Sequence, residues 1–184
     1  MSELYSRDSV LRDIFECRLK NAAGVIMKLE IRGEELDENF MKEIIGMLTF
    51  SDEVSKNAFK IICELVKKRL YIELFKKKDV MTSLISLLKV NLLGDNTRIR
   101  NQAEIILRMI SEIRPGIVIN YYIKNRNIFK PTQNSFNESL EYFEEFVMKL
   151  SESIANKNMD YDEKYHTKVR EIYDGHWSIQ RHMQ

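Results

Sequence analysis

Two stretches of the chain carry nearly the same spacing of apolar side chains. Residues 54–65, "VSKNAFKIICEL", and residues 99–110, "IRNQAEIILRMI", lie 45 positions apart, with Ala58 and Ala103 at the same point in each. Both follow the spacing of a helix with one buried face. We interpret them as two copies of one packing unit and predict that both alanines are buried where helices cross closely, although chance can produce similar spacing in any all-α protein.

Helical spacing continues through most of the chain, interrupted by short stop and start signals. The predicted breaks fall at 49–53, 67–71, 93–97 and 114–116. Ser51 or Asp52, and Asn96 or Thr97, are predicted N-caps, because their side-chain oxygens can accept hydrogen bonds from first-turn amides. Short helices joined by short turns are the expected result.

The repeat and the composition together predict the fold class. Glycine (6) and proline (2) are scarce in the 184 residues, which favours an all-α chain. Each copy is followed by a short helical stretch, "IELFKK" and then "INYYIK". Recurring units of two or three helices are typical of armadillo and HEAT arrays. We therefore predict an armadillo/HEAT-like right-handed superhelix of short helices.

Three segments are predicted along the chain. Residues 1–130 form the helical repeat domain, 131–156 a linker and an amphipathic helix that packs on it, and 157–184 a polar, partly helical tail. The linker is "PTQNSFN". The helix after it carries an apolar seam with alternating spacings of three and four, which either docks on the preceding helices or pairs with a partner helix. The seam consists of Leu140, Phe143, Val147, Leu150 and Ile154.

Charge and cysteine content limit the possible environments. There are 29 basic and 28 acidic residues, a net charge of +1, so no overall field attracts nucleic acid or an anionic membrane. Cys17 and Cys63 are too few for a secreted disulfide scaffold, and we interpret them as reduced thiols. No leader or apolar run long enough for a transmembrane segment occurs. We expect an intracellular protein, nuclear or cytoplasmic.

No motif for catalysis stands out. His166, His176 and His182 all lie in the tail, without the spacing of a helical zinc site. The sequence has no nucleophile elbow and no phosphate-binding glycine loop. We therefore expect a non-enzyme without a cofactor, metal or small-molecule substrate, and nucleic acid is not an expected partner.

Two polar stripes at helical spacing are the candidate binding face. In armadillo-type arrays the last helix of each unit lines a concave groove, so the stripes are predicted to form adjacent parts of one protein-binding surface. Ordinary exposure to solvent explains their polarity equally simply. The residues are Thr82, Ser86, Lys89, Asn120, Lys124 and Asn127.

Two basic clusters form a second candidate surface. Residues 67–69 read "KKR" and residues 76–78 read "KKK". If they meet on one ridge, they can attract an acidic peptide or a phosphate. The alternative is that each cluster ends a helix, where cations complement the helix dipole.

The segments "FMKEIIGMLTF", "AFKIICELVKKRLYIELFKKKDVMTSLISLL", "GDNTRIRNQAEIILRMISEIR" and "SLEYFEEF" together carry a family resemblance. Over roughly residues 40–150 the order of these features resembles the late helical-repeat region of the regulatory subunit 3 family of protein phosphatase 4. The resemblance implies a scaffold that docks a phosphatase catalytic subunit to its substrates. The family's N-terminal peptide-binding domain and acidic tail have no counterpart in the chain.

A second resemblance leads to a different class of adaptor. "MTSLISLLKVNLLGD", "TRIRNQAEIILRMI" and "YYIKNRNIF" are similar to the later helices of a VHS domain. That resemblance implies an endosomal sorting adaptor that binds acidic dileucine signals or ubiquitin. Lys78 and Asp79 stand at the expected groove positions, and Trp177 is the single tryptophan, so the residues for such binding are not matched. A generic armadillo-like scaffold of a nuclear complex is the remaining alternative.

Overall fold

The computed structural model describes residues 6–88, 97–125 and 138–156, and every regular element in these ranges is helical. The all-α prediction is therefore confirmed for this part of the chain. The elements are α1 Arg7–Phe15, α2 Ala22–Ile31, α3 Glu38–Met47, α4 Asp52–Lys67, α5 Arg69–Ile72, a 3-10 helix Glu73–Lys76, α6 Lys78–Ser86, α7 Thr97–Ile113, α8 Pro115–Asn125 and α9 Glu138–Asn156.

Helix ends coincide with the predicted breaks that the structure describes. α4 begins within 49–53, α5 begins within 67–71, and Arg114 separates α7 from α8. α7 begins at Thr97, and the rest of the predicted break at 93–97 lies outside the described residues. Pro115 is the first residue of α8, a position where its missing N–H is no loss.

Side-chain caps fix the starts of the first three helices. Each cap accepts a hydrogen bond from the backbone N–H three residues further on, and the caps are Ser6, Asn21 and Asp37. Ser51 occupies the N-cap position of α4, but its side chain makes no capping hydrogen bond. The predicted capping bond of Ser51 is therefore wrong. The acidic residues 52–53 complement the positive end of the helix dipole instead.

The long helices stack in two rows. In the first row α2 packs on α4 and α4 packs on α7; in the second row α3 packs on α6 and α6 packs on α9. Contacts of α4 with α3, and of α8 with both α7 and α9, join the rows. Along the chain, α2 is followed directly by α3, α5 and the 3-10 helix lie between α4 and α6, and α8 lies between α7 and α9. Helices of both rows contribute side chains to one buried core.

The two copies of the repeated pattern are α4 and α7, which pack directly on each other. Ala58 and Ala103 are fully buried, as predicted. The copies differ at their first apolar position, where Val54 is buried but Ile99 is half-buried. The shared spacing therefore marks a buried face on each of the two helices.

Contacts at both ends show that α4 and α7 run parallel. Arg98, in the first turn of α7, forms an ion pair with Asp52, the first residue of α4. Arg114, directly after α7, forms an ion pair with Glu73, shortly after α4. The starts of the two helices therefore lie close together, and so do the residues that follow their ends.

A polar contact is buried between these parallel helices. The Ser55 hydroxyl oxygen lies 2.8 Å from Gln102 Oε1 and 3.1 Å from the carbonyl oxygen of Leu48. Ser55 is fully buried and Gln102 is 8% exposed. Since buried polar groups without partners are costly, this contact favours one alignment of the two helices.

The predicted amphipathic helix is α9, and it packs against α6 and α8. Phe143 and Val147 are fully buried, and Leu150 packs partly buried against the same core. The seam thus docks within the chain. The side chains of Leu140 and Ile154 lie outside the described part, as does the tail from residue 157 onward.

Candidate functional site

The predicted groove residues are Thr82, Ser86, Lys89, Asn120, Lys124 and Asn127. The first two lie on α6, and Asn120 and Lys124 lie on α8. Lys89 and Asn127 lie outside the described residues. Thr82, Ser86 and Lys124 are exposed, and Asn120 is half-buried and interacts within the fold.

The structure brings α6 and α8 together at one hydroxyl pair. The Thr82 hydroxyl lies 2.7 Å from the Lys78 carbonyl oxygen, to which it can donate, and 2.7 Å from the hydroxyl oxygen of Tyr121. Tyr121 is 8% exposed, so this contact belongs to the fold. Ser86 donates to the carbonyl oxygen of Ser83 in its own helix, at 2.7 Å. Among the described groove residues, Lys124 is the exposed cation.

Sequence reasoning did not anticipate that α9 would meet both helices of the predicted groove. The Phe143 ring contacts the Tyr121 ring edge to face, with centroids 5.7 Å apart, and lies 6.3 Å from the Tyr122 centroid. The Tyr122 hydroxyl donates to Glu144 Oε1 at 2.9 Å. We call Tyr121, Tyr122 and Phe143 the aromatic joint. The apolar seam of α9 was the signal for docking, but its spacing does not specify the place.

The two basic clusters form a second candidate surface. Residues 67–78 contain six basic residues and one acidic residue. Lys67, Lys76, Lys77 and Lys78 are exposed, and Lys68 is half-buried. We call these five lysines the basic ridge. α5 and the 3-10 helix, eight residues in total, separate its two halves by at most about 14 Å.

Carboxylates neutralise three of the five ridge lysines. Glu64 Oε1 lies 2.9 Å from Lys67 Nζ, Glu30 Oε2 lies 3.4 Å from Lys68 Nζ, and Glu73 pairs with Lys76. The hydrogen bond to Glu64 raises the pKa of Lys67 above its ordinary value. Lys77 and Lys78 form no ion pair with any described residue. The unneutralised charge of the ridge is therefore at its second half.

The ion pair between Lys68 and Glu30 also places one end of the ridge beside the end of α2. The acidic residues 34–38, which read "EELDE", comprise part of the loop after α2 and the first residue of α3. Asp37 pairs with Arg7 at 2.8 Å. The backbone N–H of Phe40, and then Arg7, lower the pKa of the Asp37 carboxyl. Lys68 of the basic ridge thus lies beside the end of α2, and the acidic residues 34–38 follow that end along the chain.

The described residues contain no group of three or more histidine, cysteine, aspartate or glutamate side chains that could hold a metal ion. The three histidines lie outside them. Neither cysteine forms a disulfide there; Cys17 is exposed, and burial raises the pKa of the half-buried Cys63 thiol to about 11. A thiol with that pKa is a poor nucleophile near neutral pH.

None of the described helices is long and apolar enough to cross a membrane. In comparisons with known proteins, the chain matches no family model, no curated protein and no solved structure.

Proposed function

We propose that the chain is a non-enzymatic scaffold that binds other proteins, built as an armadillo-like right-handed superhelix. The observation that carries this proposal is the stacking of α2, α4 and α7 in one row and of α3, α6 and α9 in another. Repeat arrays use such stacking to build extended surfaces that bind other proteins. The parallel alignment of α4 and α7 supports the proposal, because equivalent helices of successive repeats run in the same direction.

The partner that we propose is the catalytic subunit of a Ser/Thr protein phosphatase, in the nucleus or the cytoplasm. This part rests on the sequence resemblance over residues 40–150. In that arrangement the chain would hold the enzyme near its substrates and contribute no catalytic group of its own.

We place the contact at the polar faces of α6 and α8, beside α9. Lys124 and Ser86 are exposed there, and Lys89 continues the α6 stripe in sequence. A charge-assisted hydrogen bond from a lysine to a partner carboxylate is worth roughly 1.5–3 kcal/mol when shielded from water, and much less when exposed.

Affinity purification of the tagged chain tests this function. We expect a phosphatase catalytic subunit to be recovered with the wild-type chain and lost with Lys89→Glu combined with Lys124→Glu, while thermal stability stays nearly unchanged. The control reverses two exposed charges elsewhere, Arg12→Glu with Lys20→Glu, and should retain the partner.

Three results would count against parts of this proposal. Recovery of endosomal coat proteins or ubiquitin would replace the phosphatase scaffold by a sorting adaptor. Normal binding by the Lys89 and Lys124 variant would move the contact to another surface. If no protein is recovered specifically, the scaffold function itself is wrong.

A further inference from the structure

We propose that the basic ridge binds an acidic, Asp/Glu-rich peptide segment of a partner protein, with Lys77 and Lys78 as the principal contacts. This inference rests on the proposed scaffold function and names the chemistry of a partner that such a scaffold would hold.

The position of Lys77 and Lys78 in the fold is the first argument. Lys77 is the N-cap residue of α6 and Lys78 is its first residue. Cations at a helix N-terminus are unfavourable, because that end of the helix dipole is positive. The helix-dipole alternative explains Lys67 and Lys76, which end their helices, and Lys77, which is also the C-cap residue of the 3-10 helix, but it does not explain Lys78.

Ion pairing among the described residues gives no reason for their charge. Both side chains are exposed, and neither forms an ion pair within the described part of the chain. Asp79, in the first turn of α6, supplies the favourable charge at that end without them. Two adjacent, unneutralised cations next to Lys76 repel one another. A residue choice that breaks a local rule without compensation is expected where function requires it.

The existing ion pairs indicate the kind of ligand. Carboxylates already reach Lys67 and Lys76 from one turn earlier in their own helices, and Glu30 of α2 reaches Lys68. The two halves of the ridge lie at most about 14 Å apart, a distance that about four extended peptide residues can span. Acidic side chains of such a peptide can reach Lys77 and Lys78 while its remaining carboxylates face the other ridge lysines.

Two other polyanions fit the surface less well. Base stacking needs exposed aromatic rings, but Tyr71 and Phe75, the aromatic residues between the two halves of the ridge, are 5% and 0% exposed. A flat anionic membrane would face the carboxylates of Glu64, Glu30 and Glu73 together with the ridge, since these carboxylates pair with its lysines. A narrow peptide can contact Lys77 and Lys78 without them.

Fluorescence anisotropy with a labelled oligoglutamate peptide tests the proposal on the full chain. We expect saturable binding that weakens as salt is raised, because screening reduces exposed charge interactions. Lys77→Glu with Lys78→Glu should weaken binding by about tenfold or more, since like charges then face the peptide.

The matched control is Arg12→Glu with Lys20→Glu, which changes the net charge equally. Both residues are exposed and form no ion pair with a described residue, and Lys20 precedes the start of α2, away from the ridge. The affinity of this control variant for the peptide should lie within about twofold of the wild-type affinity, because distant exposed charges are screened. Circular dichroism of both variants shows whether each keeps its helices, and Lys77→Gln with Lys78→Gln provides a milder second ridge variant.

Several outcomes overturn the proposal. The first is that the chain does not bind oligoglutamate. The second is that the ridge variant and the control variant lose affinity for the peptide equally. The third is that an RNA oligonucleotide or phosphatidylserine vesicles bind more tightly than the peptide. If the wild-type chain nevertheless recovers a phosphatase in affinity purification and the ridge variant recovers it equally, the ridge proposal fails while the scaffold function stands. If the peptide binds but no protein is recovered, the scaffold function fails instead.

Discussion

The interface between α4 and α7 and the docking of α9 are held together in different ways. α4 and α7 carry fully buried alanines, Ala58 and Ala103, at equivalent positions of the repeat, and the buried Ser55 hydroxyl of α4 has a hydrogen-bond partner in Gln102 of α7. α9 docks through the aromatic joint. Its buried Ser151 hydroxyl has no hydrogen-bond partner among the described residues.

The difference separates two kinds of packing specificity. Small side chains let helices approach closely, so that interface should be sensitive to added volume. An aromatic ring fills a large space between helices, so the α9 interface should be sensitive to lost volume. The buried serines Ser55 and Ser151 also differ between the two interfaces. A buried hydroxyl with a hydrogen-bond partner stabilises its interface, and a buried hydroxyl without one does not.

The largest effect is expected from removing the ring at the centre of the aromatic joint. Phe143→Ala should lower the free energy of unfolding by about 3–5 kcal/mol, because Phe143 is fully buried. Urea denaturation followed by circular dichroism measures the change. Phe15→Ala is the control, since Phe15 is 59% exposed, and it should change stability far less. If both variants lose the same free energy of unfolding, α9 does not dock as described.

The helical periodicity allowed this interface to be predicted only in part. The spacing of Phe143, Val147 and Leu150 predicts a helix with an apolar seam, but the same spacing fits a seam for a partner helix. The docking of α9 on α6 and α8 in particular depends on side chains that are far apart in sequence, such as Tyr121 and Thr82. No local pattern relates such residues.

The second expected effect comes from overfilling the α4–α7 interface. Ala103→Leu should cost about 1–3 kcal/mol of stability, because three added carbon atoms have no space between closely packed helices. Ala23→Leu is the matched control, as Ala23 is exposed on α2. A stability of Ala103→Leu equal to that of the control would contradict close packing at this alanine.

The smallest effects should separate the two buried serines. Ser55→Ala should lower stability by about 1–2 kcal/mol, since it leaves buried Gln102 with one partner fewer. Ser151→Ala should leave stability unchanged or raise it, because the removed hydroxyl has no described partner. Thermal melts of both variants give the comparison. If Ser151→Ala lowers stability more than Ser55→Ala does, the buried polar contact does not distinguish the two interfaces.

Polar details were the least predictable part of the molecule. The repeated apolar spacing predicted that Ala58 and Ala103 are buried, because apolar burial repeats with the helix period, but it did not predict that α4 packs on α7. It did not identify the ion pairs of Arg98 with Asp52 and of Arg114 with Glu73, which depend on how the helices are placed in three dimensions. Similarly, sequence suggested the basic ridge, but the N-terminal position of Lys77 and Lys78 on α6 emerged only from the helix boundaries.

Crosslinking tests the parallel stacking of α4 on α7, on which the repeat architecture depends. In a chain with Cys17→Ser and Cys63→Ser, Asp52→Cys is combined with either Arg98→Cys or Arg114→Cys. α7 has 17 residues and is about 25 Å long, so one cysteine pair is close and the other distant. We predict rapid crosslinking of positions 52 and 98 by a short bifunctional maleimide and none of positions 52 and 114. Efficient crosslinking of 52 to 114 with none of 52 to 98 would contradict the account.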